Sequence, residues 1–221
     1  MDQQSLILNG GPLIGPDVVS VARKGLTVSI GEEAIKRMSS SRSTVEKVAA
    51  STNPTYGINT GFGALSTTSI SKDELDQLQM NLLRSHAAGV GDPLPQDVVR
   101  GMMVILAGSL CRGFSGVRPE VAELLVSTLN ANVTPVIPSR GSVGASGDLA
   151  PLSHLALVLC GEGKATLGDK DMPGKAAIAA AGLTPIIPVA KEGLALINGT
   201  HLMSSIATLA LADIALICEA A

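Results

Sequence analysis

The sequence predicts a mainly α-helical chain with a few short β-strands, and three observations lead there. Aromatic side chains are nearly absent: Tyr56, Phe62 and Phe114 stand alone among 221 residues, with no Trp. The core must therefore be aliphatic, which suits close helix packing better than a β-sandwich. Apolar residues recur at helical spacing, as in Leu75, Leu78 and Leu82. From Leu202 to Cys218 the polar residues Ser204, Ser205, Thr208 and Asp213 are scattered around the helix rather than gathered on one face. A helix apolar nearly all round is buried in a bundle or spans a membrane. His201, Asp213 and Glu219 bracket a stretch shorter than the roughly 20 apolar residues a span needs, so the bundle is the expectation.

In chain order, strand-like runs at Leu6–Leu8 and Leu26–Ile30 flank a short helix over Pro16–Arg23, and a longer helix covers Glu32–Ala50. Residues 51–69, STNPTYGINTGFGALSTTS, have no helical period and carry many Gly, Asn and Thr residues, so they form a long loop. Loops of that length in compact domains are functional or disordered, and Tyr56, Ile58, Phe62 and Leu65 argue against disorder. Ser71 and Glu74 make a capping box opening a helix that runs toward His86 and ends near Gly89. Helices over Gln96–Cys111 and Pro119–Leu129 follow, with Pro119 accepted in a first turn. Asp148 is placed to N-cap a helix over Leu149–Leu159. The run GKATLGDKDMPG reads as a hairpin turning near Gly168-Asp169-Lys170. A last helix starts near Gly199 and meets no capping signal, so residues 1–198 and 199–221 read as two parts of the front of a longer protein.

Charge and cysteines narrow the function. Lys and Arg number 16 against 19 Asp and Glu, a net charge of −3 spread evenly, which favours neither nucleic acid nor an anionic membrane as partner. Cys111, Cys160 and Cys218 are widely spaced in apolar runs, as buried thiols in a reducing compartment are. The start Met-Asp-Gln-Gln-Ser has no basic segment of a secretory signal, so a cytoplasmic protein is expected. His86, His154 and His201 lack ligand spacing, and no metal site is expected.

One stretch asks for chemistry. Residues 141–148, GSVGASGD, are almost without side chains, yet they lead directly into an apolar helix. If the nitrogen of Gly147 were pressed onto the carbonyl carbon of Ala145, a five-membered ring would close. Loss of one water from that ring, and of the Ser146 hydroxyl as a second water, would leave a methylidene conjugated to an imidazolone. That product is a strong electrophile, which no ordinary side chain supplies. Glycine gives the least hindered nitrogen and a free φ, Ala145 lets the loop compress, and the helix behind Asp148 would aim its N-terminal dipole at the ring. The tripeptide alone is common, and on it alone an ordinary tight connection into a helix is the preferred reading.

The surroundings are less common. The stretch GSVGASGDLAPLSHLAL (141–157), with TYGINTGFG (55–63), NLLRSHAAGVG (81–91), SGVRPEV (115–121), PVIP (135–138) and EGLALINGT (192–200), closely resembles the aromatic amino acid ammonia-lyases, the histidine and phenylalanine ammonia-lyase family. The resemblance implies the helical aspartase-like fold, with this chain holding its N-terminal part and the start of a central-bundle helix. It implies a methylidene-imidazolone formed from Ala145-Ser146-Gly147, no metal, and a homotetramer whose sites draw on three subunits. Tyr56 matches the residue that removes the substrate's β-proton, a role requiring a phenol ionised near neutral pH. Asn198 matches the asparagine bonded to the ring, with Asp148 beside it, and Gly63 falls where a side chain would crowd the substrate. His86, after Leu-Leu-Arg-Ser, resembles the histidine-specific enzymes, which turn L-histidine into trans-urocanate and ammonia. Some tyrosine aminomutases share RSHAAGVG, so a tyrosine or phenylalanine lyase or aminomutase is an alternative, and a non-catalytic helical scaffold is another. His154 reads as a packed, hydrogen-bonded histidine, and His201 receives no role.

Overall fold

The structure, a computed structural model, describes residues 5–61, 70, 72–143 and 147–221. Its elements are β1 (Leu6–Leu8), α1 (Gly15–Lys24), β2 (Val28–Ile30), α2 (Glu32–Ala49), α3 (Lys72–His86), β3 (Val90–Pro93), α4 (Gln96–Cys111) and α5 (Pro119–Asn130). After these come β4 (Val133–Pro135), β5 (Pro138–Arg140), α6 (Leu149–Leu159), β6 (Lys164–Leu167), β7 (Lys170–Pro173), α7 (Gly174–Ala180), α8 (Glu192–Ile197) and α9 (His201–Ala220). The helical class is as expected. The short elements β3, β4, β5, α7 and α8 are absent from the sequence reading. Prolines at 93, 135 and 138 hide the three strands, because proline gives no ladder donor and is confined to strand ends and edges. The capping box at Ser71 lies outside the described residues.

Helix α4 is the centre of the core. Val99, Met102, Met103, Val104, Leu106, Ala107, Leu110 and Cys111 are buried along it. With Met38, Leu83, Leu125, Leu129, Leu152 and Leu155 they make the aliphatic core that the lack of aromatics demands. Helices α1, α5 and α9 pack on α4. A Cβ on Gly101 would stand 2.2 Å from Ser205 Oγ, so glycine there lets α9 lie against α4, and the Ser205 hydroxyl donates to Val98 O at 2.7 Å. The buried Arg100 guanidinium ties three elements together, donating to Leu129 O at 3.0 Å, Asn132 Oδ1 at 3.0 Å and Val21 O at 3.1 Å.

Among the described residues three small sheets stitch the connections. β1 and β2 are parallel, Leu6 opposite Val28. β3 and β5 are antiparallel, Val90 opposite Arg140 and Pro93 opposite Pro138. β4, β6 and β7 form an antiparallel sheet that includes the expected hairpin, turning at Gly168-Asp169. The β3–β5 pair brings the end of α3 beside the run that leads into α6.

Helix α9 departs from the expectation of burial on all faces. His201, Leu202, Ser205 and Leu209 are buried, but Leu211, Ile214, Leu216 and Ile217 are 54–67% exposed. The run Glu192–Ala220 is long and apolar enough to cross a membrane by composition, yet α8 within it packs on α3 and α6, and α9 packs on α4 and α1. Arg23 adds a charged clamp, donating to Asp97 Oδ2 at 2.9 Å and to both carboxylate oxygens of Asp213.

Candidate active site

The glycine of the Ala-Ser-Gly triplet sits at a junction of three segments. Gly147 has φ +151, a conformation side-chain-bearing residues rarely adopt. A Cβ there would lie 3.1 Å from Gly199 O, 3.3 Å from Gly199 N and 3.7 Å from Asn198 Oδ1. The next amide, Asp148 N–H, donates to Gly199 O at 2.6 Å. Two stretches remote in sequence, Gly147-Asp148 and Asn198-Gly199, thus meet at the start of α6. Ala145, Ser146 and Gly63 lie outside the described residues.

Asp148 corrects the sequence reading. It precedes Leu149 as expected, but its side chain does not cap α6. The backbone, at φ −94 and ψ 51, is not the extended conformation that turns a cap side chain back toward its own helix. Instead the fully buried carboxylate reaches across to α9, accepting from Leu202 N at 2.8 Å and Met203 N at 3.1 Å. Its other oxygen accepts from Ser142 Oγ at 2.6 Å. Asp148 therefore fastens the loop and α9 to one point by satisfying first-turn amides of a helix that lacks a cap of its own. Asn198 ends α8, and Thr200 holds the cap position of α9 without a side-chain bond.

His86 ends α3. Its Nδ1 is 2.9 Å from Leu82 O and 3.0 Å from Ser85 Oγ. A carbonyl oxygen can only accept, so Nδ1 carries a proton, and in the neutral ring Nε2 is left as an acceptor. From here the chain passes Gly89, whose N–H donates to His154 Nε2 at 3.1 Å. Burial holds the His154 imidazole below its ordinary pKa, in the neutral form this contact needs. His86 thus reaches the junction through Gly89 and the β3–β5 pair, not by direct contact with Gly147.

Tyr56 is 58% exposed on the turn after α2, on a different loop. The loop's shape depends on Asn59, which nothing in the sequence pattern singles out. Its buried amide accepts from Thr55 N at 2.7 Å and donates to Ser51 O at 3.1 Å and Asn53 O at 3.0 Å. One amide thereby replaces the backbone ladder that this glycine-rich stretch lacks.

Helix α8, which carries Asn198 on its end, is held by residues that motif reading overlooks. Glu192 is fully buried and accepts from Arg118 N and Nε, both at 2.9 Å, and from Arg118 Nη2 at 2.8 Å. Val189 N adds a fourth donor at 3.0 Å, and Arg42 Nη1 stands 3.8 Å away. The Glu192 carboxylate raises the pKa of Arg118 above the ordinary arginine value. Beside this network is a cavity of about 690 Å³, lined by Arg42, Glu46, Asp76 and Arg118 among others. Among the described residues no three His, Cys, Asp or Glu side chains cluster as metal ligands do. Burial pushes the Cys111 thiol up to about 11 and that of Cys160 up to about 12, so neither is a ready nucleophile.

A helical core with Gly147 pressed on an Asn-Gly turn defines a class, and residues 14–221 match the profile of that class, the aromatic amino acid lyases. The chain belongs to this family. It is 49% identical over 221 residues to the histidine ammonia-lyase of Treponema denticola, covering 100% of this chain and 44% of the relative. With that of Gloeobacter violaceus it shares 52% over 204 residues, 92% of this chain and 40% of the relative. The crystal structure of histidine ammonia-lyase from Trypanosoma cruzi superposes with TM-score 0.87 at 38% identity, over 95% of this chain and 40% of that one. Tyrosine aminomutase from Streptomyces globisporus gives 0.87 at 37%, over 93% and 39%. The chain thus spans about two fifths of the length of these relatives.

Proposed function

We propose that this chain is the N-terminal catalytic part of a cytoplasmic histidine ammonia-lyase, which eliminates ammonia from L-histidine to give trans-urocanate. The observation that carries the reading is the contact of Gly147 with Asn198 and Gly199, the place where a ring built from Ala145-Ser146-Gly147 would be held. The residues present fit that group. Gly147 has no room for a side chain, its neighbour Asp148 is fixed through both backbone and carboxylate, and Asn198 Oδ1 faces it. When formed, the methylidene-imidazolone supplies an electrophile for the amino acid.

The remaining work falls to this chain's own side chains. Asn198 orients the ring, and Tyr56 takes the β-proton. His86, with Nδ1–H tied to Leu82 O, offers Nε2 to a ring N–H of the substrate. Curated histidine ammonia-lyases at 47–52% identity favour histidine over the tyrosine alternative.

With the chain extended to the length of its relatives, incubation with L-histidine should raise the ultraviolet absorbance of urocanate, and L-tyrosine should give little coumarate. Preference for tyrosine would overturn the substrate assignment. Tyr56→Phe should lower turnover about 10²–10⁴-fold, the usual worth of a positioned proton-transfer group, while substrate binding persists. A Tyr56→Phe enzyme of undiminished kcat would remove Tyr56 from the reaction.

The assembly proposed is a homo-oligomer, a tetramer in the full-length protein, formed in part through α9. Burying an exposed Leu or Ile is worth about 1.5–3 kcal/mol, and Leu211, Ile214, Leu216 and Ile217 stand together in water. At micromolar concentration the 221-residue chain should sediment as an associated species, and Ile214→Glu with Ile217→Glu should return it to a monomer. A monomeric wild-type chain would show that α9 is not an interface.

A further inference from the structure

Resting on the reading above, and deepening it, we infer that Gln79 is a positioning residue that couples the helix of His86 to the helix of Asn198. Gln79 lies on α3 about two turns before His86, and is 1% exposed. Its Oε1 accepts from Gly193 N at 2.9 Å and, more weakly, from Leu194 N at 3.4 Å. These are first-turn amides of α8, which no helix can satisfy from within. The approach is close: a Cβ on Gly193 would stand 3.0 Å from both Gln79 O and Gln79 Oε1.

Helix α8 has 6 residues. At a rise of about 1.5 Å per residue it is a strut of roughly 9 Å, too short to bend between its ends. One end is fixed to Gln79 on α3 and to Glu192's partners on α2 and the 115–118 segment. The other end delivers Asn198 and Gly199 to Gly147 and Asp148. A shift of α8 against α3 is therefore passed on to the Gly199 carbonyl and to the amide that donates to it, Asp148 N–H at 2.6 Å. Leu202 and Met203 feel it next, because their amides share the Asp148 carboxylate. Gln79 sets the distance between the substrate-reading end of α3 and the ring-holding end of α8. A glutamine that merely satisfied two buried amides would have no effect at Asp148.

The test compares Gln79→Met, which keeps the volume and loses the acceptor, with Gln79→Glu, which keeps the acceptor. Amide hydrogen exchange of the 221-residue chain is followed by mass spectrometry, together with intact mass for the loss of two waters. In Gln79→Met, exchange at Asp148, Leu202 and Met203 should speed up by about tenfold or more, with Val104 and Leu106 unchanged. Gln79→Glu should restore wild-type protection. Where the wild type shows the two-water loss, Gln79→Met should show less of it, and Gln79→Glu should recover it. Absence of that loss from the 221-residue wild type leaves the exchange comparison intact, and its absence from the chain extended to the length of its relatives counts against the ring-forming reading. Unchanged protection at Asp148, Leu202 and Met203 in a folded Gln79→Met overturns the inference. If Gln79→Met does not fold, Gly193→Ala pushes the same two helices apart with the acceptor present. Unchanged protection in that variant overturns the inference, and so does its unfolding, since Gln79 would then be holding the core rather than the site.

Discussion

Gly147→Ala is expected to leave the chain folded and to abolish ring closure. Two effects act together at that position. At φ +151 a residue with a Cβ carries strain on the order of 1–3 kcal/mol, and its Cβ would also sit 3.1 Å from Gly199 O, tighter than an ordinary contact. To escape, the backbone must rotate or withdraw from Gly199, which moves the nitrogen that, in the proposed ring closure, approaches the Ala145 carbonyl carbon. Stability has other sources at this junction: Asp148 keeps its bonds to Leu202, Met203 and Ser142. The global cost should therefore stay at about 1–3 kcal/mol, while the yield of ring falls to nothing detectable. Intact mass of the chain extended to the length of its relatives checks this directly, with circular dichroism to confirm folding. A Gly147→Ala protein that still loses two waters would show that the glycine is needed for packing and not for closure.

How much of this was legible in advance follows from what each residue depends on. The bounds of α4 and α6 and the turn of the β6–β7 hairpin follow from patterns within a few residues, and the structure reproduces them. The loop at 51–61 is legible for the same reason. Asp148 shows the limit. Its place before Leu149 is a local fact, but its partners are amides on α9, and which helix it caps depends on how two remote segments pack. Asn59 and Gln79 are ordinary polar residues whose roles exist only once a loop or a second helix has arrived beside them. Glu192 is the extreme case, because a glutamate is almost never fully buried unless paired, and the pairing with Arg118 spans two motifs with nothing between them to announce it.

That pairing carries the largest stability effect expected in the chain. Glu192→Ala leaves the Arg118 guanidinium and the amides of Arg118 and Val189 facing an emptied site. Breaking a buried ion pair by removing one partner costs about 3–5 kcal/mol, and the lower figure applies here because the Arg118 side chain left behind is 33% exposed and partly solvated. Spread over a domain of this size, with about 2–4 °C per kcal/mol, the thermal midpoint should fall by roughly 6–12 °C. Glu192→Gln should fall between the two, since one amide oxygen still accepts but the new NH₂ faces donors on Arg118 or Val189. The loss should also be nearly independent of salt, because a carboxylate with no exposed surface is poorly screened. The Arg23–Asp213 pair is the internal contrast. Its carboxylate is exposed, its contribution is subject to screening, and Asp213→Asn should shift the midpoint little. Thermal unfolding of the three variants at low and high salt separates the cases. If Glu192→Ala melted with the wild type, or its deficit vanished in high salt, the carboxylate would not be the anchor of α8, and the position of Asn198 would have to rest on Gln79 and the apolar contacts of Leu196 and Ile197 alone.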